Sequence, residues 1–489
     1  MKLTVKSSEA VREACDFLVL FEGAKRNDAL GRAAADALKA AGRKPNQSLF
    51  VWPAPTGSPH KLLVIARPEK YQMFPSPMKA GCICGDIAKL AKERGARRIC
   101  IDLASSPESE EFRDYADGLL TAGYEFQNYR ETPSRFFEKL HISLAVDGKK
   151  LAARKSELSR IIAISEGVAL ARELVNQPPN VVNPIYLAEK LYEEAKEIGV
   201  KCKVYDEKSL ASEGWAGHIA VGKGSATPPR MAVAEMGGGN RKGDGAKKLA
   251  FVGKGLTFDT GGISIKPWDG MWSMKGDMAG AAAVIGAFRA LAKLGQAGPI
   301  SFLVCCAENM PGGRAYRPSD IVKYKNGKCV EIISTDAEGR MVLADGLIHA
   351  GELGATHIVD IATLTGACVV ALGNDYTGLI GNDDSFTAAV KAAAGRSGEL
   401  VWELPLPAWY KELLKSEYCD FKNAGGRYGG AITAGVFLSE FVEKGRKWCH
   451  LDIAPTFMVE TPKRQFLQAG GTGVAVRTLV ELASTFGDE

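Results

Sequence analysis

The sequence predicts an α/β protein built from two domains, and three observations carry that prediction. The chain has 489 residues, more than one hydrophobic core usually serves. Short apolar runs alternate with amphipathic stretches in both halves, as strands joined by helices do. A long helical stretch over 149–174 ends at Asn176-Gln177-Pro178-Pro179-Asn180, where two prolines force an extended path. The expected organisation is a first α/β domain over 1–148, a connecting helix over 149–175 and a second domain over 176–489.

In the first third the strand candidates are 16–21, 48–53, 61–66, 98–103 and 140–146. Helical stretches at 29–41, 78–94 and 109–124 lie between them, which argues a largely parallel sheet. The second region offers strands at 249–253, 300–307, 331–334 and 356–361, with helices beginning near Asp277 and Met341. Glycines crowd after residue 210, which points to tight turns and close backbone approaches there.

Composition excludes several classes. A net charge of +5 over 62 basic and 57 acidic side chains, with no dense Lys/Arg tract, gives a nucleic-acid partner little support. No apolar run is long enough to span a bilayer, and MKLTVKSSEA lacks the apolar core of a secretory signal. The eleven cysteines form no repeating framework, so the expected setting is the reducing cytoplasm. Cys305 and Cys306 read as buried free thiols, and Cys82-x-Cys84 alone is a weak metal signal.

Ligands of open α/β sheets bind beyond the carboxyl ends of strands, and three polar segments stand at such places. FVGKGLTFDTGGISIKP carries Lys254, Asp259 and Lys266. KGDMAGAAAVIG opens a small-residue helix with Asp277. IISTDAEGRMVLADG alternates Asp336, Glu338 and Arg340, which in an extended segment point to one side. Neighbouring carboxylates repel unless a cation lies between them, and four suffice for two divalent ions sharing a bridge. Oxygen donors suit magnesium and manganese, and zinc also accepts them. Ions about 3.5–4 Å apart activate a water and clamp a carbonyl or phosphoryl oxygen. Burial beside cations lowers a lysine pKa, so one of Lys254 and Lys266 is read as a neutral ligand. The other stays charged against an oxyanion, and the residues alone leave the assignment open.

Taken singly, each residue has a plainer reading. An Asp-x-Glu at a strand end is usually a cap or solvated loop, Asp277 an N-cap, and a lysine after a strand merely exposed. The coincidence of three such segments is what points to a site. Competing motifs fail. Gly253-x-Gly255 lacks the third glycine because position 258 is Phe, and Gly262-x-Ser264 is followed by Lys266 rather than glycine. There is no HExxH, and His349 and His450 are assigned to packing.

At these residues the sequence resembles the leucine aminopeptidase family over roughly 160–480, with DAEGR as the family's signature. ARELVNQPPN, AVGKGSATPPR, ATLTGA and AGGRYGGAITAG support the match. The resemblance implies a macro-domain-like N-terminal sheet with helices and a larger catalytic domain around a central mixed sheet. It implies a leucyl aminopeptidase acting on peptides, with two divalent ions per subunit drawn from zinc, manganese, cobalt or magnesium. Lys254, Asp259, Asp277, Asp336 and Glu338 would be the ligands, Asp259 and Glu338 bridging the ions. Lys266 would be the electrophile, and Arg340 would anchor a bicarbonate ion acting as general base. Met274, Thr363, Gly366 and Ala454 would form the pocket for a leucine-like side chain. Main-chain groups near Leu364 would hold the substrate backbone, and the substrate's amino group would meet one metal and Asp277. A cytoplasmic homohexamer is also implied.

Two departures from the family pattern spare every such ligand. Ser334 stands where Asn usually opens the signature, and DIAP replaces DIAG, with Phe457 where a pocket residue is expected. Rival readings are a DNA-binding regulator, a non-catalytic relative and a two-metal phosphoryl-transfer enzyme. The weak basic character, the complete ligand set, and the lysine pair with its apolar pocket argue against them in turn.

Overall fold

The computed structural model describes residues 1–41, 47–237, 247–296, 298–461 and 466–486. The chain forms two compact units, 1–165 with 460–469 and 166–459 with 470–489. The border falls inside the helix Leu151–Asn176, so the expected borders at 148 and 175 do not mark the units. The reason is packing along one continuous helix. Leu158 and Ile161 join the first unit's core, while Gly167 lies against the Gly286 carbonyl in the second.

The first unit holds β1 (Lys2–Ser7), β2 (Phe17–Phe21), β3 (Leu49–Pro53), β4 (Leu62–Ala66), β5 (Arg98–Asp102) and β6 (His141–Val146). They form one sheet in the order β1-β6-β5-β2-β4-β3, parallel except for β3 against β4. The sequence prediction misses β1, because only Leu3 and Val5 of KLTVKS are buried and lysines flank them. The helices Ala29–Ala41, Ser76–Arg94 and Phe112–Ala122 belong to the same unit, the last preceded by a 3-10 turn at Ser109–Glu111.

The second unit carries β7 (Lys201–Tyr205), β8 (Arg230–Met236), β9 (Leu249–Asp259), β10 (Ile300–Asn309), β11 (Ile321–Lys323), β12 (Cys329–Glu331), β13 (His357–Ala362), β14 (Thr377–Gly381), β15 (Val401–Glu403), β16 (Phe421–Lys422) and β17 (Lys447–Asp452). Its eight-stranded mixed sheet has the order β15-β14-β17-β13-β9-β10-β8-β7. The inner four, β17-β13-β9-β10, run parallel, and β14 and β8 join them antiparallel. β11, β12 and β16 make a separate three-stranded sheet. The helix Ala279–Lys293 is almost wholly buried, which its small, all-round apolar sequence allows. Cys305 and Cys306 are buried free thiols, as expected. β9 runs past the expected 253 to Asp259, since Lys254, Thr257 and Asp259 broke the apolar pattern without breaking the strand. Among the described residues, no helix is long and apolar enough to cross a membrane.

Candidate metal centre

The parallel strands β17, β13, β9 and β10 end together, and their ends supply the polar groups of the site. Asp259 ends β9 opposite Asn309 of β10, and Asp452 ends β17 opposite Ala362 of β13. This is the edge where open α/β sheets bind ligands.

Lys254 lies inside β9 and is 2% exposed. Its Nζ donates to Asp277 Oδ1 and to the Thr363 carbonyl, both at 2.8 Å, and sits 3.1 Å from Glu338 Oε1. Gly339 leaves room for it, because a Cβ there would stand 2.5 Å from Lys254 Cε. Burial opposes the ammonium charge, but Asp277, Glu338 and Asp259 outweigh it and hold the Lys254 pKa above its ordinary value.

Gly261 and Gly262, with φ of +85° and +67°, turn the chain back on the end of β9. Lys266 thereby returns to its own strand end, 2.8 Å from Asp259 Oδ2 and in contact with Asp336 Oδ1. The other Asp259 oxygen accepts the Gly261 N–H and Asn309 Nδ2, both at 2.8 Å. Burial opposes the Lys266 charge too, and Asp259, Glu338 and Asp336 raise its pKa above the ordinary value. Burial also pushes Asp259, Asp277 and Asp336 up, while at Glu338 burial is outweighed by the charges of Lys254 and Lys266, which hold it down.

Two sequence expectations need correction. The DAEGR segment does not continue an extended strand. β12 stops at Glu331, Ser334–Asp336 forms a turn, and the helix Glu338–Glu352 begins. Backbone groups that a ladder would pair are taken by side chains. Asn423 Oδ1 accepts the N–H groups of Ile333 and Ser334, and its Nδ2 donates to the Ser334 carbonyl. Glu338 and Arg340, two apart on a helix, therefore do not share a face. Glu338 meets Lys254, whereas Arg340 Nη1 donates to the Asn423 carbonyl at 2.8 Å. The plainer reading of Asp277 as an N-cap also fails. The helix after it starts at Ala279 without a side-chain cap, and the Asp277 carboxylate takes Lys254 and Thr363 Oγ1 instead.

The remaining predicted residues gather nearby. Met274 lies in the 3-10 turn Met271–Gly276, and its carbonyl accepts the Asp277 N–H. Thr363 reaches both the carboxylate and the carbonyl of Asp277. Leu364 and Ala454 donate their N–H groups to one oxygen, Asp452 Oδ1, each at 3.1 Å. Gly366 opens the next helix, capped by Thr365 Oγ1. Phe457 packs where a Cβ at Gly276 would be, beside the turn that carries Met274. His349 and His450 are buried on Tyr205 and Asp360, so their packing role holds.

The sequence prediction missed the groups that fix this arrangement. Thr335 Oγ1 donates to the Gly261 carbonyl and accepts the Ser264 N–H, and Asn309 and Tyr316 both donate to the Thr335 carbonyl. Ser334 Oγ accepts the Asp336 N–H at 3.2 Å, so serine here supports the loop locally while Asn423 clasps it from outside. Asn309 and Asp452 each end an apolar strand, the same signal that singled out Asp259. Asn423 carries no such signal.

The donor set fits divalent cations. Four carboxylates face two ammonium groups, and Asp277 Oδ2 and Glu338 Oε2 are buried without a hydrogen-bond partner among the described residues. Such an orphaned group costs about 1–3 kcal/mol, and more when charged. Asp259, Asp336 and Glu338 each offer an oxygen within 4.8 Å of the others. Glu338 belongs to this trio and also touches the Lys254–Asp277 pair.

Residues 169–480 match the cytosol aminopeptidase family, catalytic domain. A probable cytosol aminopeptidase of Solibacter usitatus is 40% identical over 489 residues, covering 99% of each chain. Another, from Aquifex aeolicus, is 47% identical over 369 residues, covering 75% of this chain and 72% of its own length. Among solved structures, the bottromycin maturation enzyme BotP superposes with a TM-score of 0.83 at 32% identity, over 97% of this chain and 100% of that one. A second structure is that enzyme in complex with Mn, with a TM-score of 0.82 at 32% identity, over 96% and 99% of the two chains. On this evidence the chain belongs to the cytosol aminopeptidase family, whose members are metal-dependent peptidases.

Proposed function

We propose that this protein releases N-terminal residues from peptides, preferring leucine and other apolar residues, with two divalent ions in the carboxylate–lysine cluster. The observation that carries this is the pair of buried, partnerless oxygens, Asp277 Oδ2 and Glu338 Oε2, in a cluster where carboxylates outnumber ammonium groups. Lys254, Asp259, Asp277, Asp336 and Glu338 would hold the ions, drawn from zinc, manganese, cobalt or magnesium. When bound, the ions supply an activated water and a Lewis-acid pull on the scissile carbonyl.

The protein's own groups do the rest. Lys266, kept charged by Asp259 and Asp336, faces the ligand trio and is placed to take the negative charge that grows on the carbonyl oxygen. Arg340 spends Nη1 on the Asn423 carbonyl and leaves a buried Nε without a partner, which suits the anchoring of a bicarbonate ion as general base. Asp277 would meet the substrate's amino group and limit cleavage to the first residue. Met274, Thr363, Gly366 and Ala454 would line the side-chain pocket, with main-chain groups at Leu364 holding the substrate backbone. Phe457, packed against Gly276 beside the turn of Met274, would influence the choice of first residue. Assembly as a homohexamer in the cytoplasm completes the proposal.

The test is hydrolysis of leucine, alanine, lysine and aspartate amides after chelation and add-back of manganese, zinc, cobalt or magnesium. Metal-restored turnover with leucine amide fastest is the expected result. Metal-restored turnover led by a charged residue would overturn the apolar preference.

A further inference from the structure

We propose that Cys329 and Cys419 form a redox-modification site, a thiol pair that closes to a disulfide and thereby disturbs the loop carrying Asp336. Cys329 opens β12, and Cys419 lies two residues before β16. These strands run parallel, with Val330 opposite Phe421 and Glu331 opposite Lys422. The Cys329 N–H donates to Asp420 Oδ2 at 2.7 Å, which ties the two segments just where the cysteines stand. Continued one residue outward, the register sets Cys329 beside Asp420, the immediate neighbour of Cys419, so the two cysteines stand on adjacent segments one position out of step. Both are free and only half-buried, whereas Cys305, Cys306, Cys368 and Cys449 are buried. An oxidant in solvent therefore meets the pair together.

The same two strands lead into the metal centre. After Glu331 the chain passes through Ile333 and Ser334 to Asp336. After Lys422 it reaches Asn423, which clasps Ile333 and Ser334 and accepts Arg340 Nη1 on its carbonyl. A disulfide requires an S–S distance of about 2.0 Å, far shorter than any non-bonded contact between two sulfurs. Closure therefore draws the segment before β16 toward β12 and strains the Asn423 clasp. Displacing a catalytic geometry by about 1 Å costs on the order of 10²-fold in rate.

With hydrogen peroxide as oxidant the chemistry balances. One thiol takes an oxygen to become a sulfenic acid and releases a water as the O–O bond breaks. The second thiol attacks that sulfur, forms the S–S bond and releases the second water. Two sulfurs are oxidised, and the peroxide is reduced to two waters. Burial and the adjacent Cys329 push the Cys419 thiol up to about 11, so closure quickens as the pH rises toward that value.

The test uses the full chain, reduced, desalted and then treated with hydrogen peroxide. Peptide mapping without reductant should find a Cys329–Cys419 linked peptide that dithiothreitol dissolves. Manganese binding and leucine-amide turnover, read on the same samples, should fall several-fold on oxidation and recover with dithiothreitol. Cys329→Ser and Cys419→Ser should keep full turnover and resist peroxide. Absence of the linked peptide would overturn the proposal, as would a linked peptide with unchanged manganese binding, or serine variants as peroxide-sensitive as the parent. The turnover readout rests on the aminopeptidase proposal. A reduced protein without turnover would count against that proposal, while the peptide map and manganese binding still report on the thiols.

Discussion

In the first unit Asp102 ends β5 fully buried, and each of its oxygens has a partner: Oδ2 takes Arg26 at 2.6 Å and Ser105 Oγ at 2.7 Å, while Oδ1 takes the Ser105 N–H. In the second unit Asp259 ends β9 in the same way, but it belongs to a cluster in which Asp277 and Glu338 each keep a buried oxygen that nothing among the described residues satisfies. Both are carboxylates at the carboxyl ends of strands that run parallel to their neighbours. The difference teaches that position at a strand end does not make a metal centre. In the proposed centre the distinguishing feature is carboxylate oxygen left without a protein partner, which a bound cation would satisfy.

The comparison can be broken at four points. Asp277→Ala should abolish metal retention and turnover together. The loss in turnover should exceed the roughly 10–100-fold that removal of an outer-sphere partner costs. Metal retained at full stoichiometry, by atomic emission on the dialysed protein, would sever the orphaned oxygen from cation binding. Lys266→Ala comes next, with turnover down roughly 10²–10³-fold and metal content unchanged. Loss of metal would make Lys266 part of the binding set instead.

Asp102→Asn should act the other way round. It leaves Arg26 paired with Asp28 alone, costs about 1.5–3 kcal/mol in denaturant unfolding, and leaves metal content untouched. The smallest effect concerns Asp16, which accepts the Arg97 and Arg98 N–H groups and pairs with Lys61. Burial works against its charge, but those partners outweigh it and hold its pKa near about 2. A depressed carboxylate stabilises the fold above its unfolded pKa of about 3.9 and loses that contribution as the pH falls toward 2. The stability gap between wild type and Asp16→Asn should therefore be full at pH 5 and shrink by pH 2. Hydrogen exchange in β5 would follow it.

The sequence made much of this legible, and the limits have physical reasons. Apolar runs revealed most strands of the first unit, because their inward faces are long and unbroken, as in Phe17–Phe21 and Leu62–Ala66. β1 stayed hidden because only two of its residues are buried. Strand-end polarity singled out Asp259, and it also marks Asn309 and Asp452. The turn at Ser334–Asp336 was not legible, since Asn423 and the Gly261 carbonyl, which Thr335 Oγ1 reaches, fix it from distant segments. Without those contacts the alternation of Asp336, Glu338 and Arg340 reads as a strand. The carboxylates and lysines named from sequence do come together, although the geometry assumed for the DAEGR segment was wrong.

The central claim, that the cluster is completed by two divalent ions, is tested most directly by equilibrium dialysis of the chelated full chain against manganese. Bound metal and leucine-amide turnover would be followed together. The account predicts saturation at about two ions per chain, with turnover absent before add-back and rising as the sites fill. Turnover that survives thorough chelation, or saturation with no ion bound to the cluster, would contradict it.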